Sequence, residues 1–470
     1  MQVLLVEDEK AIRTLFANHC SAQGVDITIA SSLGEAKQII DQDNQDFDLG
    51  ICDLKIPSAP GVVDEDVQHG LAVLRHLLSV WPGVPLIVLS AFGTVDVVSK
   101  MLYDARSLDL YGDRDPRPML RFVQKARLVD AVAAIDEVNA EIEALEQIEL
   151  VSPSLTPAYC RAVRVFARRK AGTFVEYTPL AGGRSGAQTG LATVKNAWGA
   201  QVAHVVTKLT RLDRATEEKG RYISHISGKL GAATFADLGD EVMAGCGGSA
   251  GLFYSVADTF NRNLFWVLAN DPGNVEGVID ELAAMCAPWL TGVPHTAKKW
   301  SDVRRNLIAD SRYTDVRTSY EIVEIADEKA VQCLWTSQHG DLHGANVLIN
   351  DKSRPVLIDY GRTGDAPSVL DPLTLELSAI FHPDSPVAAD PWPTVDDLQN
   401  WADVDVYVRD CPYPAFVRAC RSWATSVKVG QRDLFATVSA FCLRNLQYDD
   451  VDKDKALALQ RVASAYVNEA

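Results

Sequence analysis

Four short apolar runs, separated by stretches of helical periodicity, constrain the first ninety residues more than any other feature of the chain. Residues 3–6 are continuously apolar, the pattern of a strand buried on both faces. Ile12, Leu15 and Phe16 then recur at helical spacing, and Gly24 supplies a stop. Residues 26–30 read as a second strand. Ser32-Leu-Gly-Glu35 has the form of a capping box, opening a helix through Ile39 and Ile40. Residues 47–52 and 84–89 read as the third and fourth strands. Such alternation predicts a doubly wound α/β fold, a parallel sheet with helices on both faces. In that fold, functional side chains gather at the carboxyl ends of the strands.

The residues at those ends carry chemistry. Glu7 and Asp8 follow the first strand, Asp53 the third, and Ser90 the fourth. Three carboxylates converging on one crevice repel unless a hard cation lies among them, and Mg²⁺ suits an all-oxygen site. An aspartate in such a site can attack a phosphoryl group as a nucleophile. The motifs V-E-D-E at 6–9, D-L-K-I-P at 53–57 and L-S-A at 89–91 occur in that order. This pattern resembles the receiver domain of bacterial two-component response regulators. The resemblance implies a flavodoxin-like, five-stranded parallel sheet with Asp53 as phosphoacceptor. It also implies a Mg²⁺ site at Glu7, Asp8 and Asp53, with Ser90 as switch hydroxyl and Lys125 of R-F-V-Q-K-A as the fifth-strand lysine. Two departures stand out. Ala126 replaces the usual proline, and residues 90–125 are longer than the family pattern, with a polar insert around 111–118. The loop holding Asp64-Glu-Asp66 is also long. These changes are expected on the face where receivers meet partners.

Composition narrows the remaining options. A chain of 470 residues with 47% apolar content predicts two or three globular domains. The formal charge of -18 is spread along the sequence and repels phosphate backbones, so nucleic acid is excluded as an expected partner. Any phosphate-bearing ligand of so acidic a chain would need local neutralisation by a metal ion and a few placed cations. The first residues lack a basic n-region, so no signal peptide is expected. No apolar run has the length of a membrane span. Nine scattered cysteines without a C-x-x-C pair predict reduced thiols and a cytoplasmic location.

Beyond the receiver-like stretch, Leu128, Val132, Ile135, Val138, Ile142 and Leu145 lie at helical spacing. They predict a last helix that continues as a connector, either a rigid transmitter or a solvated spacer. Thr156-Pro157 predicts a further helix start. A β-branched and aromatic run then leads into a glycine-rich loop at 180–190. There Gly182, Gly183, Ser185 and Gly186 either cradle phosphates with backbone N–H groups or simply turn the chain. Lys208 follows on a predicted strand, placed to reach nucleotide phosphates. In the next helix Glu218 shares a face with Tyr222 and Ile226 and is preferred over Glu217 as the partner of Lys208. The alternative makes both glutamates surface charges.

The segment H-G-D-L-H-G-A-N at 339–346, followed by V-L-I-D-Y-G at 356–361, is the most specific of the second half. Asp341 and Asn346 have the D-x-x-x-x-N spacing of a phosphotransferase loop, where a carboxylate accepts a hydroxyl proton. Asn346 and Asp359 offer oxygens to Mg²⁺ bridging phosphates. The apolar runs around Asn350 predict a hairpin that places Asp359 beside the loop. These motifs resemble the aminoglycoside phosphotransferase and choline kinase branch of the protein-kinase-like superfamily. That resemblance implies an α+β bilobal fold, Asp341 as catalytic base, Asn346 and Asp359 as metal ligands, and Lys208 as a phosphate contact. His339 is expected to orient the loop, His343 to be structural, and Asp371 and Glu376 to lie at a helix start. In the helical remainder, Trp401, Trp423, Phe435 and Leu443 are predicted core. Asp403, Asp405 and the acids at 449–452 either face a cationic acceptor or are solvated.

The resulting expectation is a receiver at 1–130, a helical connector at 131–170, an N-lobe at 171–270 and a C-lobe at 271–470. Phosphorylation of Asp53 would control an ATP- and Mg²⁺-dependent phosphotransferase. Expected partners are a cognate histidine kinase, ATP and an unidentified phosphoryl acceptor, with homodimerisation left open and no nucleic acid or membrane. The rival is a pseudokinase-like nucleotide-binding scaffold.

Overall fold

Alternate residues of the first strand are buried on opposite sides. Val3 and Leu5 join Ile12, Phe16, Cys20 and Ile135 in one cluster. Leu4 and Val6 join Ala36, Ile40, Leu71, Leu74 and Leu77 in another. A strand with apolar side chains on both faces needs helices on both, and the computed structural model has them. It describes residues 1–42, 46–90, 107–152, 155–180, 186–388 and 390–469. Strands β1 (Gln2–Val6), β2 (Asp26–Ala30), β3 (Leu49–Asp53), β4 (Leu86–Ser90) and β5 (Leu120–Gln124) pair in the order β2-β1-β3-β4-β5, all parallel. The accompanying helices are α1 (Lys10–Ala22), α2 (Leu33–Ile40), α3 (Val67–Val80) and α4 (Leu128–Glu146). The strand order reverses between β1 and β3, which opens a crevice at their carboxyl ends.

The cap of α2 differs from the expected box in one respect. Ser32 Oγ accepts from Glu35 N at 3.3 Å, but Glu35 Oε2 accepts from the backbone N and hydroxyl of Ser31, both at 2.7 Å. The glutamate thus reaches one residue further back and satisfies two donors there.

The chain forms two compact units, Met1–Thr216 with Leu238–Ser255, and Glu217–Asp237 with Val256–Ala470. The first unit holds a second sheet besides the parallel one. Its strands are β6 (Glu149–Val151), β7 (Phe174–Pro179), β8 (Gln188–Lys195), β9 (Gln201–Arg211), β10 (Asp237–Val242) and β11 (Ser249–Ser255), in the order β10-β11-β9-β8-β7-β6. Helix α5 (Pro157–Arg169) packs on it. Thr156 Oγ1 caps α5 by accepting from Tyr159 N at 3.4 Å, with Pro157 in the first turn. Phe166 of α5 stacks on Phe253 of β11 with ring centroids 4.1 Å apart, a geometry that adds about 1 kcal/mol beyond burial.

Helix α4 serves both cores of this unit. Ala131, Ala134 and Ile135 pack in the parallel-sheet core. Val138, Ile142 and Leu145 join Phe166, Val175, Val194 and Phe253 in the other. A solvated spacer is therefore excluded. The insert around 111–118 is also not a free polar surface. Leu110, Tyr111 and Met119 belong to the second core. Its charges are consumed internally, Arg117 pairing with Asp113 and Glu141 at 2.7 Å each, and Asp109 with Arg169 at 3.0 Å.

The second unit is mixed. Strands β12 (Val347–Ile349) and β13 (Pro355–Leu357) form the anticipated antiparallel hairpin, with Leu348 opposite Val356. Asn350 Oδ1 closes its turn by accepting from the N–H groups of Lys352 and Arg354. Helices α6 (Leu370–Phe381), α7 (Pro414–Val427), α8 (Gln431–Asn445) and α9 (Lys453–Glu469) bury Trp401, Trp423, Phe435 and Leu443. Glu376 is an internal tie rather than a site residue. Arg421 donates to it at 2.5 and 3.0 Å and Trp401 Nε1 at 2.9 Å.

Asp433, inside α8, is fully buried, with Val429 N donating to Oδ2 at 3.2 Å and Oδ1 without a partner. Burial pushes its carboxyl up to about 7 from the ordinary 3.8. Between those values the folded chain holds a proton that the unfolded chain has released. Stability therefore falls as pH rises through this window, by up to about 1.4 kcal/mol per pH unit. Asp433→Asn removes the dependence. Urea unfolding at pH 5 and pH 7.5 should show the variant gaining on the wild type at the higher pH. Parallel curves would refute the assignment.

Candidate functional site

The crevice at the carboxyl ends of β1 and β3 gathers Glu7, Glu9 and Asp53 around one cation, Lys125. Asp53 is the last residue of β3 and 2% exposed, and Glu7 directly follows β1 and is fully buried. Lys125, in the turn following β5, places Nζ 2.9 Å from Asp53 Oδ2, 2.9 Å from Glu7 Oε1 and 2.7 Å from Glu9 Oε1. The alanine after Lys125 therefore does not prevent the lysine from reaching the acids. Ser90 ends β4 and is buried, one residue beyond Leu89, which pairs with Asp53.

The electrostatics are those of a crowded anionic pocket. Burial, then the charge of Asp53, pushes Glu7 up to about 7. Burial likewise raises Asp53, against the hydrogen bond and charge of Lys125. Burial works against a charged Lys125, but Glu9, Asp53 and Glu7 together raise its affinity for the proton. Glu7, Asp8 and Asp53 bring carboxylate oxygens within 4.8 Å of one another. Glu7 Oε2 is buried without a hydrogen-bond partner. One lysine against four acids leaves negative charge that a hard divalent cation would neutralise, so this oxygen-only donor set fits Mg²⁺. The close approach of α3 depends on Gly70, where a Cβ would stand 2.5 Å from the Asp53 carbonyl oxygen. Gly70 belongs to no motif, and Glu9, the last residue of V-E-D-E, has no role assigned by it. Only the close approach of α3 and the position of Lys125 reveal them.

A second constellation lies within the second unit. His339 is fully buried, and its Nε2 lies 2.9 Å from the carbonyl oxygen of Ile358, tying the loop to the residue before Asp359. Asp371 accepts from His339 N at 2.7 Å and Gly340 N at 2.9 Å, anchoring the same loop from α6. Asn346 Nδ2 donates to the Asp341 carbonyl at 3.0 Å, which leaves its amide oxygen for another contact. Asp359 has φ +65°, a left-handed conformation that costs a non-glycine residue about 1 kcal/mol or more and gathers at functional sites. Tyr360 holds that turn from beneath, its hydroxyl donating to Leu357 O at 2.6 Å and lying 3.0 Å from Ala236 O.

Asp341 has a partner that its motif does not announce. Arg444 of α8 donates from Nη2 to Asp341 Oδ1 at 2.7 Å. Burial opposes the charge on Asp341, yet the guanidiniums of Arg444 and Arg362 hold its carboxyl well below the usual range. Burial lowers His343 to about 3, so its ring is neutral near pH 7. The His343 ring lies against that of His382, with centroids 4.3 Å apart and the planes tilted by 36°.

The other expected residues are distributed as follows. Lys208 is buried in β9 of the first unit, opposite Thr189 and Leu252. Glu218 belongs to the second unit and is 3% exposed, buried like Tyr222 and Ile226, whereas Glu217 is exposed. Gly182, Gly183 and Ser185 lie outside the described residues. Gly186 adopts φ +72° with open space around it. Gly190 instead has a packing reason, since a Cβ there would meet the Tyr177 ring at 2.4 Å.

No described helix is long and apolar enough to cross a membrane. Among curated proteins no significant match to the chain is found. Solved structures similar to it include a response regulator receiver domain protein from Clostridium thermocellum, at 19% identity, covering 31% of this chain and 98% of that one with a TM-score of 0.23. A CheY-like receiver protein from Methanospirillum hungatei JF-1 matches at 20% identity over 30% of this chain and 97% of its own, TM-score 0.23. The signal receiver domain of a Vibrio parahaemolyticus protein, described as a Luxo repressor, matches at 22% identity over 31% and 93%, TM-score 0.22. Residues 3–108 match the sequence model of the response regulator receiver domain, and with the β2-β1-β3-β4-β5 parallel sheet this part of the chain is a receiver domain of a two-component response regulator.

Proposed function

We propose that the receiver controls an ATP- and Mg²⁺-dependent phosphotransferase formed by the rest of the chain, acting on a hydroxyl-bearing small molecule or protein. The carrying observation is the left-handed Asp359, held by Tyr360 and joined through Ile358 to the loop of Asp341 and Asn346. A carboxylate fixed in a costly conformation beside a D-x-x-x-x-N loop is suited to coordinating the metal that bridges nucleotide phosphates. Asp341 would orient the attacking hydroxyl and receive its proton. Glu218, buried in the same unit, is a further candidate for that nucleotide site.

Control by Asp53 is supported by α4. It begins three residues after Lys125, which touches Asp53, and ends in the core beneath the sheet that carries Lys208. A histidine kinase is the expected phosphodonor. One observation favours the rival scaffold: Arg444 occupies Asp341, which weakens it as a base.

ADP release by the full chain, measured with ATP and Mg²⁺ before and after acetyl phosphate, separates the readings. The wild-type rate should change about fivefold or more and that of Asp53→Ala should not. Identical responses would end the coupling claim. Tight ATP binding without turnover would favour the scaffold.

A further inference from the structure

The surroundings of Asp341 are cationic beyond what one carboxylate needs. Arg444 contacts it directly, and Arg362 is an electrostatic neighbour of both. Arg221 adds a third guanidinium, its Nη1 reaching Thr363 O at 3.4 Å. Asp371 is spent on the backbone N–H groups of His339 and Gly340, so the side chains of Arg444 and Arg362 are the cations left facing Asp341.

Two of these cations have unspent capacity. Arg444 is 8% exposed, and while Nη2 serves Asp341, Nη1 is buried without a hydrogen-bond partner. A buried donor left unmatched costs free energy that an oxyanion would recover. Arg362 is exposed, and its side chain makes no hydrogen bond or ion pair among the described residues. Its backbone packs against Gly340, where a Cβ would meet the Arg362 carbonyl at 2.4 Å, so this arginine is held next to the Asp341 loop. A cationic acceptor would be repelled here. Two of the acids that could face such an acceptor are engaged elsewhere, Asp403 capping a helical turn and Asp405 pairing with Arg418.

We propose that Arg362 and Arg444 form an anion-binding pair beside Asp341, so that the phosphoryl acceptor carries a phosphate or carboxylate group near its hydroxyl. The identity of this group as part of an acceptor rests on the phosphotransferase reading above. The pair itself does not.

Isothermal titration of the full chain tests it, in an Asp53→Ala background that keeps probes off the receiver. The probes are glycerol 3-phosphate, D-glycerate, glycerol and choline. The two anions should bind about tenfold or more tightly than glycerol or choline, and the stronger of the two names phosphate or carboxylate. Arg362→Gln, at an exposed position, should weaken the anions about tenfold and leave glycerol unchanged. Asp341→Asn, which removes the charge competing for Arg444, should tighten them. Equal binding of all four probes, or anion binding indifferent to Arg362→Gln, overturns the pair. ATP titration of the same protein reports separately on the phosphotransferase. A chain that binds ATP without anion preference loses the pair alone, and one that prefers anions but binds no ATP keeps the pair and loses the phosphotransferase.

Discussion

Asp53→Ala is expected to abolish covalent phosphorylation of the chain by acetyl phosphate, a complete loss where the wild type gains one phosphoryl group by intact mass. The geometry explains why no neighbour can substitute. Attack requires a carboxylate oxygen at the strand end with metal-binding acids beside it and a cation poised for the arriving phosphoryl oxygens. Among the acids here, Asp53 alone is the last residue of a strand, whereas Glu7 and Asp8 lie in the loop after β1. The step transfers the phosphoryl group to Asp53, releases acetate and leaves an acyl phosphate. Lys125 then exchanges its contact with Asp53 for one with the new oxygens. Removing divalent cations with EDTA should stop labelling as completely as the substitution does, because Glu7 and Asp53 would otherwise keep uncompensated charge. Labelling of Asp53→Ala at the wild-type level would place the acceptor elsewhere.

The receiver was legible because its chemistry sits at strand ends, and strands of continuous apolar residues are visible in one dimension. Asp53, Glu7 and Ser90 each follow such a run directly, and Asp8 follows Glu7. Lys125 was legible through the run before it, despite Ala126. The insert misled for a physical reason. Its acids and arginines look solvated in sequence, but Arg117, Asp113 and Asp109 are satisfied by partners in α4, α5 and the insert itself, which lets Leu110 and Tyr111 enter a core. Helix α4 could not be resolved between transmitter and spacer because periodicity reveals a buried face and not what covers it.

In the second unit the loop motif reported local spacing well and distant contacts not at all. The His339, Asp371 and Asn346 contacts follow from residues within the motif or one helix away. Arg444 lies 103 residues from Asp341, in a helix whose sequence has no mark of a site. Glu376 was noticed for its position at a helix start, and only tertiary structure shows that Arg421 and Trp401 claim it. Long-range pairs of this kind are set by packing, which one sequence does not record.

Asp359→Asn should lower phosphoryl transfer from ATP by on the order of a thousandfold while leaving thermal stability near that of the wild type. Asparagine is the informative choice. Position 359 has φ +65°, and asparagine tolerates the left-handed region where alanine would add about 1 kcal/mol or more of strain. The variant therefore keeps the turn held by Tyr360 and changes only charge, so a loss of rate is a loss of metal-bridging capacity. Asp341→Asn separates the second role. It retains an oxygen for Arg444 and so avoids stranding a buried guanidinium, a defect that Asp341→Ala would introduce. Transfer should fall by roughly 10²–10⁴-fold with ATP affinity retained, as expected when proton acceptance is lost and nucleotide contacts are not. Asp359→Asn, in contrast, should weaken Mg²⁺-dependent ATP binding as well as rate. Wild-type turnover in either variant would remove that residue from the chemistry, and equal loss of ATP binding in both would mean the two carboxylates do not divide the work in this way.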